Sequence, residues 1–447
     1  MISIRSPRGY DFSIQGAPQD LVEKAPLPAT VGVLPERIPF IKPRLAVKSG
    51  DPVAIGDLLF TDKSDDRIRF LSPGGGHVEA IHFGPRRVIR EVVIRCASDD
   101  EPAQSLTTPI TPQDIDRCPR ADLVAHLLKG GVWPLLQSLP FRAIADPEVQ
   151  PPAIYVGLDA REPFQVPPRR YLEGHKALFE FGLRALRRLC PTVHVHADPA
   201  DRAFCDAHQE VITHAVRGRY PADDPGVVLF HIRRSSEDNP SWFIKGQDVL
   251  LLAEMLQTGR YPTKRLYAVA GTGVANPRYV ASRLGAPLKS LLGAVACSSP
   301  RYALGGILRG YAGDPDGHMG FYETSVTVLP EPETGDFLTL FRPGLDKPTY
   351  SRTFLSALRR TPLAMTTNVN GGRRACIACG YCAEVCPVNI WPQMTFKSIL
   401  AEEVEEYLAH GLLDCVECGL CSYVCPSKIE LAVVLRDAKH AYRKEQA

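Results

Sequence analysis

Eight of the thirteen cysteines of this 447-residue chain lie between Cys376 and Cys425, in two runs of identical spacing. Each run reads C-x₂-C-x₂-C-x₃-C and is followed at once by proline. The other five cysteines are scattered singly through the preceding part of the chain. This clustering favours metal-bound thiolates in a reducing compartment over the disulfide framework of a small secreted domain.

The spacing of each run is that of two-cluster ferredoxins, in which three thiolates surround one [4Fe–4S] cubane and the fourth ligates the other cluster. Gly380 and Gly419 follow the second cysteines and let the backbone approach a cluster without a Cβ atom. The proline after each fourth cysteine suits the first position of a helix. The sequence therefore predicts two clusters: cluster 1 on Cys376, Cys379, Cys382 and Cys425, and cluster 2 on Cys386, Cys415, Cys418 and Cys421.

Structural zinc and free core thiols are the alternatives, but zinc sites use paired C-x₂-C units without further cysteines at these offsets. Interleaved ligands hold two clusters close together, which predicts an electron relay with no open coordination position for a substrate. Helix-forming residues at Ser398–His410 and Leu431–Tyr442 flank the second run. They predict an α-helical ferredoxin domain over residues 346–447.

Residues 1–100 read as short strands joined by turns, because Gly50-Asp51 and Gly56-Asp57 separate apolar stretches. The spacing predicts a barrel-sandwich hybrid of the lipoyl and biotinyl type. In those carriers a modified lysine lies between two methionines. Lys63 occupies the corresponding turn without them, so we predict an exposed turn lysine there and no swinging carrier.

Residues 101–245 predict a Rossmann-like α/β domain that begins with a linker over about 101–120. Apolar runs at Ala153–Gly157, Val193–His196 and Val227–Ile232 indicate buried parallel strands. Helical spacing of apolar residues predicts a covering helix at Tyr171–Leu189. This alternation is typical of a sheet with helices on its faces.

Residues 246–345 predict a small β-grasp-like module with a helix at Gln247–Leu256 and a strand at Lys264–Ala270. The following Gly271–Pro277 contains only G-x-G, and its Asn-Pro pair would break the helix that a dinucleotide-binding loop must open. We interpret it as a tight turn. His194 and His196 alternate on one strand without a recognisable third ligand, so we assign them packing or surface roles.

The whole chain gives no case for nucleic-acid binding, since its formal charge is only +2. It opens without the apolar segment of a secretory signal. No apolar run approaches the roughly 18 to 20 residues that a membrane span needs. A protein of this kind that works at a membrane is expected to bind it through partner subunits.

Several short motifs, in their order and spacing, resemble the NqrA subunit of the sodium-translocating NADH:quinone reductase (Nqr) and the related RnfC subunit of the Rnf complex. The motifs are Met1–Ile4, Ser72-Pro73, Arg86–Ile89, Gly246–Val249, Asn276–Arg278, Ser351–Leu355 and Met365–Asn368. Typical NqrA lacks the two full ferredoxin runs, whereas RnfC has them. The chain thus resembles the body of the first with the clusters of the second.

RnfC in turn resembles the flavin-binding subunit of respiratory complex I, whose phosphate loop is of the type G-G-A-G-F-P. The matching segment here is Lys129–Phe141, in which only Gly130 and Gly131 remain of that loop. Trp133 would occupy the space of a flavin phosphate, and Pro134 removes a backbone N–H from the cradle. We predict from this eroded loop that neither FMN nor NADH binds this chain.

The resemblance implies a peripheral electron-transfer subunit on the cytoplasmic side of the inner membrane, in a complex with integral membrane subunits. A ferredoxin or a flavoprotein is a further possible partner, and quinone enters at the level of the complex. Two alternatives stay open. One is an NADH- and FMN-dependent reductase like RnfC, and the other is a scaffold protein whose clusters are not redox-active.

Overall fold

The computed structural model describes residues 1–97, 104–159, 161–331, 344–345, 349–350, 354–365, 367 and 371–446. Two of the family motifs, Ser351–Leu355 and Met365–Asn368, lie partly outside the described residues, as does the predicted linker. Within the described ranges, no helix combines the length and hydropathy needed to cross a membrane.

The strands are β1 (Ile2–Ser6), β2 (Val22–Lys24), β3 (Thr30–Val33), β4 (Pro43–Leu45), β5 (Pro52–Val53), β6 (Leu58–Asp62), β7 (Arg69–Leu71), β8 (Gly76–Phe83), β9 (Ile89–Cys96), β10 (Gln137–Ser138), β11 (Ala143–Ile144), β12 (Ile154–Gly157), β13 (Val193–Ala197), β14 (His214–Gly218), β15 (Trp242–Lys245), β16 (Lys264–Ala270), β17 (Arg278–Arg283), β18 (Pro300–Leu304), β19 (Tyr311–Gly313) and β20 (Ser325–Pro330). The helices are α1 (Arg120–Lys129), α2 (Pro168–Tyr171), α3 (Lys176–Leu189), α4 (Arg202–Ala207), α5 (Pro225–Ile232), α6 (Gly246–Thr258), α7 (Leu288–Leu292), α8 (Tyr381–Val385), α9 (Pro392–Leu400), α10 (Val404–Ala409), α11 (Leu420–Tyr423) and α12 (Leu431–Gln446).

A seven-stranded sheet forms the centre of the α/β region, in the order β1-β14-β13-β12-β15-β10-β11. Its five strands from β1 to β15 run parallel, and β10 and β11 add an antiparallel edge. Alternate residues of β12 face opposite cores: Ile154 belongs to the core that also contains residues of α3 and α6, and Tyr155 to the core that contains residues of α5. Helices therefore cover both faces, as the alternating pattern predicted.

The predicted strand at Val227–Ile232 is wrong, because these residues lie in α5. The Asp224 side chain caps this helix by accepting a hydrogen bond of 2.8 Å from the Gly226 backbone N–H, and Pro225 occupies its first turn. A short apolar run fits a buried strand and a buried helix equally well. The capping residues before it decide for the helix.

Two small sheets form the barrel-sandwich region, in the orders β3-β9-β8-β5 and β4-β6-β7. Gly50 and Gly56 adopt φ values of 91° and 93° at the two predicted turns. Lys63 is exposed in its turn, as predicted. However, β1 pairs with β14 of the α/β sheet and β2 with β17, so the start of the chain contributes to two other sheets.

A six-stranded mixed sheet follows, in the order β19-β18-β20-β16-β17-β2. The prediction of a strand at Lys264–Ala270 is confirmed by β16, and Gly271 turns the chain after it with φ of 96°. The helix predicted at Gln247–Leu256 is confirmed by α6, but it packs on α3. A Cβ atom on Gly182 of α3 would lie 2.6 Å from Val249, so this glycine lets the two helices approach. The helix α6 therefore packs with the α/β region, and the predicted domain boundary after residue 245 stays a prediction.

Helices make up the described part of the C-terminal region, four of them short and the last, α12, 16 residues long. The segment predicted as one helix at Ser398–His410 is divided between α9 and α10, because Glu402 between them adopts φ of 59°. The predicted helix at Leu431–Tyr442 is confirmed by α12. Both cysteine runs lie within this region and share one apolar core with it.

Candidate iron–sulfur centre

The two cysteine runs adopt the same backbone conformation. In the first run Ala378 and Gly380 have φ of 54° and 80°, and at the equivalent positions Glu417 and Gly419 have 56° and 79°. Each glycine is the N-cap of a short helix, α8 in the first run and α11 in the second. A left-handed residue after two loop residues folds the backbone back on itself, so its N–H groups can face a cluster. We call these segments the first loop (residues 376–380) and the second loop (residues 415–419).

The four thiols predicted for cluster 2 line one enclosed cavity, together with apolar side chains such as Ile390 and Leu435. Burial, reinforced by the charges of neighbouring cysteines, raises the pKa of both Cys386 and Cys418 to about 12. Buried thiolates this close together need compensating positive charge, which the irons of a cubane would supply. The donor set of this cavity therefore fits a [4Fe–4S] cluster.

Among the described residues, no group of three His, Cys, Asp or Glu side chains is arranged around a single metal ion. Such a group is the signature of a mononuclear site. In a cubane each thiolate binds its own iron, so four cluster ligands do not converge on one point.

Of the four cysteines predicted for cluster 1, Cys382 and Cys425 are as buried as those of cluster 2, and the other two are more accessible. Cys382 is buried and its thiol donates a hydrogen bond of 3.1 Å to Gln393, whereas Cys376 is half-buried and Cys379 exposed. The segment that follows Cys425 lies beside the start of the first loop, because the Ser427 hydroxyl donates to the Ala375 carbonyl at 2.9 Å. The structure thus places the backbone next to Cys425 beside the first run. The predicted exchange of the fourth cysteines requires this arrangement.

A buried lysine supports the second loop, and sequence reasoning missed it. Lys439 of α12 is 1 % exposed, and its ammonium donates to the Cys415 carbonyl at 2.6 Å and to Glu417 at 3.1 Å. Its position was visible in the sequence, since it follows Leu431 and Leu435 on the same helical stripe. A lysine in an apolar stripe needs a buried acceptor.

The second loop also rests on the α/β domain. The Tyr220 hydroxyl donates to the Cys418 carbonyl at 2.8 Å, and Arg142 donates to the Val416 carbonyl at 3.2 Å. Asp224 binds both Arg142, at 2.8 Å, and Arg309, at 2.6 Å. Burial alone would raise the pKa of Asp224, but the two guanidinium groups outweigh burial and lower it to about 2.

The segment compared with a flavin loop is part of the core. Trp133 is fully buried, donates to the Ala145 carbonyl at 2.7 Å and packs edge-on against Trp242. A Cβ atom on Gly130 would lie 2.3 Å from the Met255 sulfur, and one on Gly131 would lie 2.6 Å from Leu71. The two glycines therefore serve close packing between α1, the barrel-sandwich region and α6.

A separate cavity, which the sequence did not predict, opens at the carboxyl ends of β12 and β15. Ligands of open α/β sheets bind in crevices outside the carboxyl ends of the strands. Its lining includes Gly157, Lys245, Asp223, Arg309 and Glu323. Within the described residues, Asp223 Oδ1, Arg309 Nη2 and Glu323 Oε2 have no hydrogen-bond partner. The sequence signal for this cavity was a glycine at the end of each buried strand. Gly157 ends β12, and Gly246 follows Lys245, the last residue of β15.

His194 and His196, predicted to have packing roles, lie on β13. His196 is completely buried, and burial lowers its pKa to about 3, so its ring is neutral. The His194 ring meets His214 edge-on with centroids 4.7 Å apart. Both side chains therefore pack inside the sheet region.

Three family models match the chain in order. They are the NqrA N-terminal barrel-sandwich hybrid domain at residues 3–97, the NqrA second alpha/beta domain at 118–261 and a 4Fe-4S dicluster domain at 375–429. These matches confirm the predicted barrel-sandwich, α/β and ferredoxin-type regions. The finer names, Rossmann-like and β-grasp-like, stay predictions, as does the similarity to RnfC.

The chain is similar over nearly its whole length to proteins described as the NqrA component of Na(+)-translocating NADH-quinone reductase. The relative from Pseudomonas aeruginosa strain PAO1 is 32 % identical, covering 97 % of this chain and 98 % of its own. Those from Klebsiella pneumoniae strain MGH 78578 and Saccharophagus degradans are each 31 % identical, covering 92 % and 100 % of both chains. A chain of an NAD⁺-reducing [NiFe]-hydrogenase aligns over half of each chain, at 14 % identity and a TM-score of 0.37, too weakly to carry an argument. By its relatives and its domains, this chain belongs to the NqrA family of Na⁺-translocating NADH-quinone reductase subunits.

Proposed function

We propose that this chain is a peripheral electron-transfer subunit of a sodium-translocating NADH-quinone reductase complex, and that two [4Fe–4S] clusters relay electrons through it. One observation carries the proposal: Cys386 of the first run lines the same enclosed cavity as the three leading cysteines of the second run. This placement supports the ligand exchange by which two-cluster ferredoxins join their clusters into one unit.

The assigned ligands are those of the sequence prediction: Cys376, Cys379, Cys382 and Cys425 for cluster 1, and Cys386, Cys415, Cys418 and Cys421 for cluster 2. When bound, the clusters supply one-electron chemistry. The chain's own contribution is to hold the thiolates, to exclude water around cluster 2 and to keep the two clusters adjacent. Saturated ligation leaves no iron for a substrate, so the substrate chemistry belongs to partner subunits.

The named relatives support membership in a multi-subunit complex. The partners we propose are integral membrane subunits, with quinone bound at the level of the complex and with this chain on the cytoplasmic side. A ferredoxin or a flavoprotein is the electron carrier that we place next to it. Sodium transport would be a property of the complex.

A second candidate is a self-contained reductase that binds FMN and NADH. The cavity at the ends of β12 and β15 favours it, because its buried polar atoms lack partners within the described residues. Against it stands the loop at Gly130 and Gly131, whose space is filled by Met255 and Leu71. We therefore prefer an electron supply from a partner.

The test is anaerobic purification followed by iron, sulfide and flavin analysis and an EPR-monitored redox titration. We expect about eight irons and eight sulfides per chain, two reducible clusters and no flavin band. Cys386→Ser should remove the cluster 2 signal, whereas Cys297→Ser, outside the runs, should leave both signals unchanged. Four irons in the native chain, or clusters that no potential reduces, would contradict the relay. Stoichiometric FMN would instead support the second candidate.

A further inference from the structure

The two loops share a backbone but differ in what covers them. Val416 of the second loop is 5 % exposed, while its counterpart Ile377 in the first loop is 68 % exposed. A Cβ atom on Gly419 would lie 2.7 Å from the Leu308 carbonyl oxygen, whereas one on Gly380 would meet nothing within 4 Å. Among the residues that the structure describes, the chain thus covers one of two equivalent surfaces and leaves the other open.

The covered loop shows how a protein surface docks on this backbone. The α/β domain gives it two donors, Arg142 to the Val416 carbonyl and Tyr220 to the Cys418 carbonyl. It also provides an apolar contact, since a Cβ atom on Gly226 would lie 2.8 Å from Val416. The first loop carries the equivalent groups. Ile377 corresponds to Val416 in both its carbonyl and its apolar side chain, and the Cys379 carbonyl corresponds to that of Cys418.

We propose that the first loop is the docking surface for an acidic redox protein, which exchanges electrons with cluster 1. The first-loop surface consists of Arg373, Arg374, Ile377, Cys379 and Trp391. The inference rests on the proposed function, because it needs cluster 1 to be present. In each transfer one electron leaves the reduced cluster and reduces the partner's centre, and no atom or proton moves.

The charge of this surface selects the partner. Arg373 and Arg374 are exposed, where the equivalent positions of the second run carry leucines, of which Leu412 is completely buried. No acidic residue occurs in the sequence from Gly371 to Ala383. The Arg374 backbone N–H donates to the Ser427 carbonyl at 2.9 Å, which fixes the position of the arginine pair. Two adjacent exposed arginines in a segment without acidic residues attract a carboxylate-rich face.

The apolar part of the surface completes the site. Trp391 is 59 % exposed and precedes α9, whose Gln393 accepts the hydrogen bond from the Cys382 thiol. An exposed tryptophan and an exposed isoleucine close to the run of cysteines can act as apolar anchors of a protein interface. Redox encounters are small and transient, so a few apolar side chains with a charged rim suffice for one.

The experiment measures electron transfer from the dithionite-reduced, desalted full chain to two oxidants of high potential by stopped-flow. One oxidant is an acidic blue-copper protein and the other a basic c-type cytochrome. In the charge-reversal variant Arg373→Glu/Arg374→Glu, we expect the second-order rate constant with the acidic oxidant to fall about tenfold or more at low salt. The rate constant with the basic oxidant should rise in the same variant.

The matched control is Arg86→Glu/Arg87→Glu, which reverses the same charge on an exposed arginine pair of the barrel-sandwich region. We expect it to change either rate constant less than about twofold. Equal effects of the two double variants, or a native chain that reacts faster with the basic oxidant, would overturn the docking surface. Iron and sulfide content and cluster reduction are measured first in every variant. A native chain without reducible clusters would refute the proposed function instead, so the two failures are distinguishable.

Discussion

The helices that follow the two cysteine runs start at equivalent positions but differ in length and in whether they cover their loop. After the first run α9 ends at Leu400, which is 65 % exposed, while at the equivalent position after the second run α12 continues through Lys439, which is 1 % exposed. The longer helix closes over its own loop and binds it through a buried ammonium group. The comparison teaches that the cysteine spacing determines the loop backbone, whereas the flanking residues determine whether a cluster is enclosed or accessible.

The largest expected difference in stability is between variants at the equivalent positions Lys439 and Leu400. Lys439→Met should lower the free energy of unfolding by about 3 kcal/mol, because it leaves the buried Cys415 carbonyl and the partly buried Glu417 carboxylate without their donor. Denaturant unfolding of the anaerobic, cluster-containing protein measures it. Leu400→Met, on the exposed helix end, is the control and should change stability by less than about 0.5 kcal/mol. Equal effects would show that Lys439 does not support the second loop.

The apolar positions of the loops give the next comparison. Val416→Ala should cost about 2 kcal/mol, because it opens a cavity against the α/β domain, and Ile377→Ala should cost almost nothing. The shift of the unfolding midpoint reports both values. A large loss of stability in Ile377→Ala would mean that the first loop is covered within the chain, contrary to the docking surface.

Acid should weaken the contact between the α/β domain and the second loop. The pKa of Asp224 is depressed from 3.8 to about 2, so its stabilising contribution is fully present above pH 4 and is lost as the pH falls from about 4 to 2. The loss amounts to about 2 kcal/mol. Asp224→Asn should be less stable at neutral pH and should lack this part of the acid dependence. Identical acid profiles for the native chain and the variant would disprove the assignment.

The smallest expected loss of stability comes from removing the Tyr220 hydroxyl. Tyr220→Phe removes the hydrogen bond to the Cys418 carbonyl and should cost about 1 kcal/mol. Tyr381→Phe, beside the open first loop, should change stability by less than about 0.5 kcal/mol. The same unfolding experiment measures both variants. A reversed order would contradict the idea that the second loop alone is docked on the α/β domain.

Sequence reasoning succeeded where the signal is local. The cysteine spacing, the turn glycines Gly50 and Gly56, the strand β16 and the helix α12 depend on neighbouring residues, and all of them are found in the structure. The cluster ligands are likewise defined by their spacing, and the shared cavity supports the set around Cys386.

The failures concern tertiary contacts. The run at Val227–Ile232 has no periodicity that separates strand from helix, and only its cap distinguishes them. The pairing of β1 with β14 and the packing of α6 on α3 join segments distant in sequence, which local patterns cannot report. The cavity at the ends of β12 and β15 is lined by residues far apart in sequence, such as Gly157 and Glu323, which meet only in the folded chain.

The pairing of β1 with β14 has a consequence for how the protein is made. During synthesis β1 leaves the ribosome first, yet its partner at His214–Gly218 emerges only after most of the α/β domain. The first strand therefore cannot reach its native partner until residue 218 has been made, and such distant pairing slows folding. Until β1 pairs with it, β14 presents an open edge to other nascent chains. The first strand to be translated thus joins the central sheet only after about half of the chain has been made.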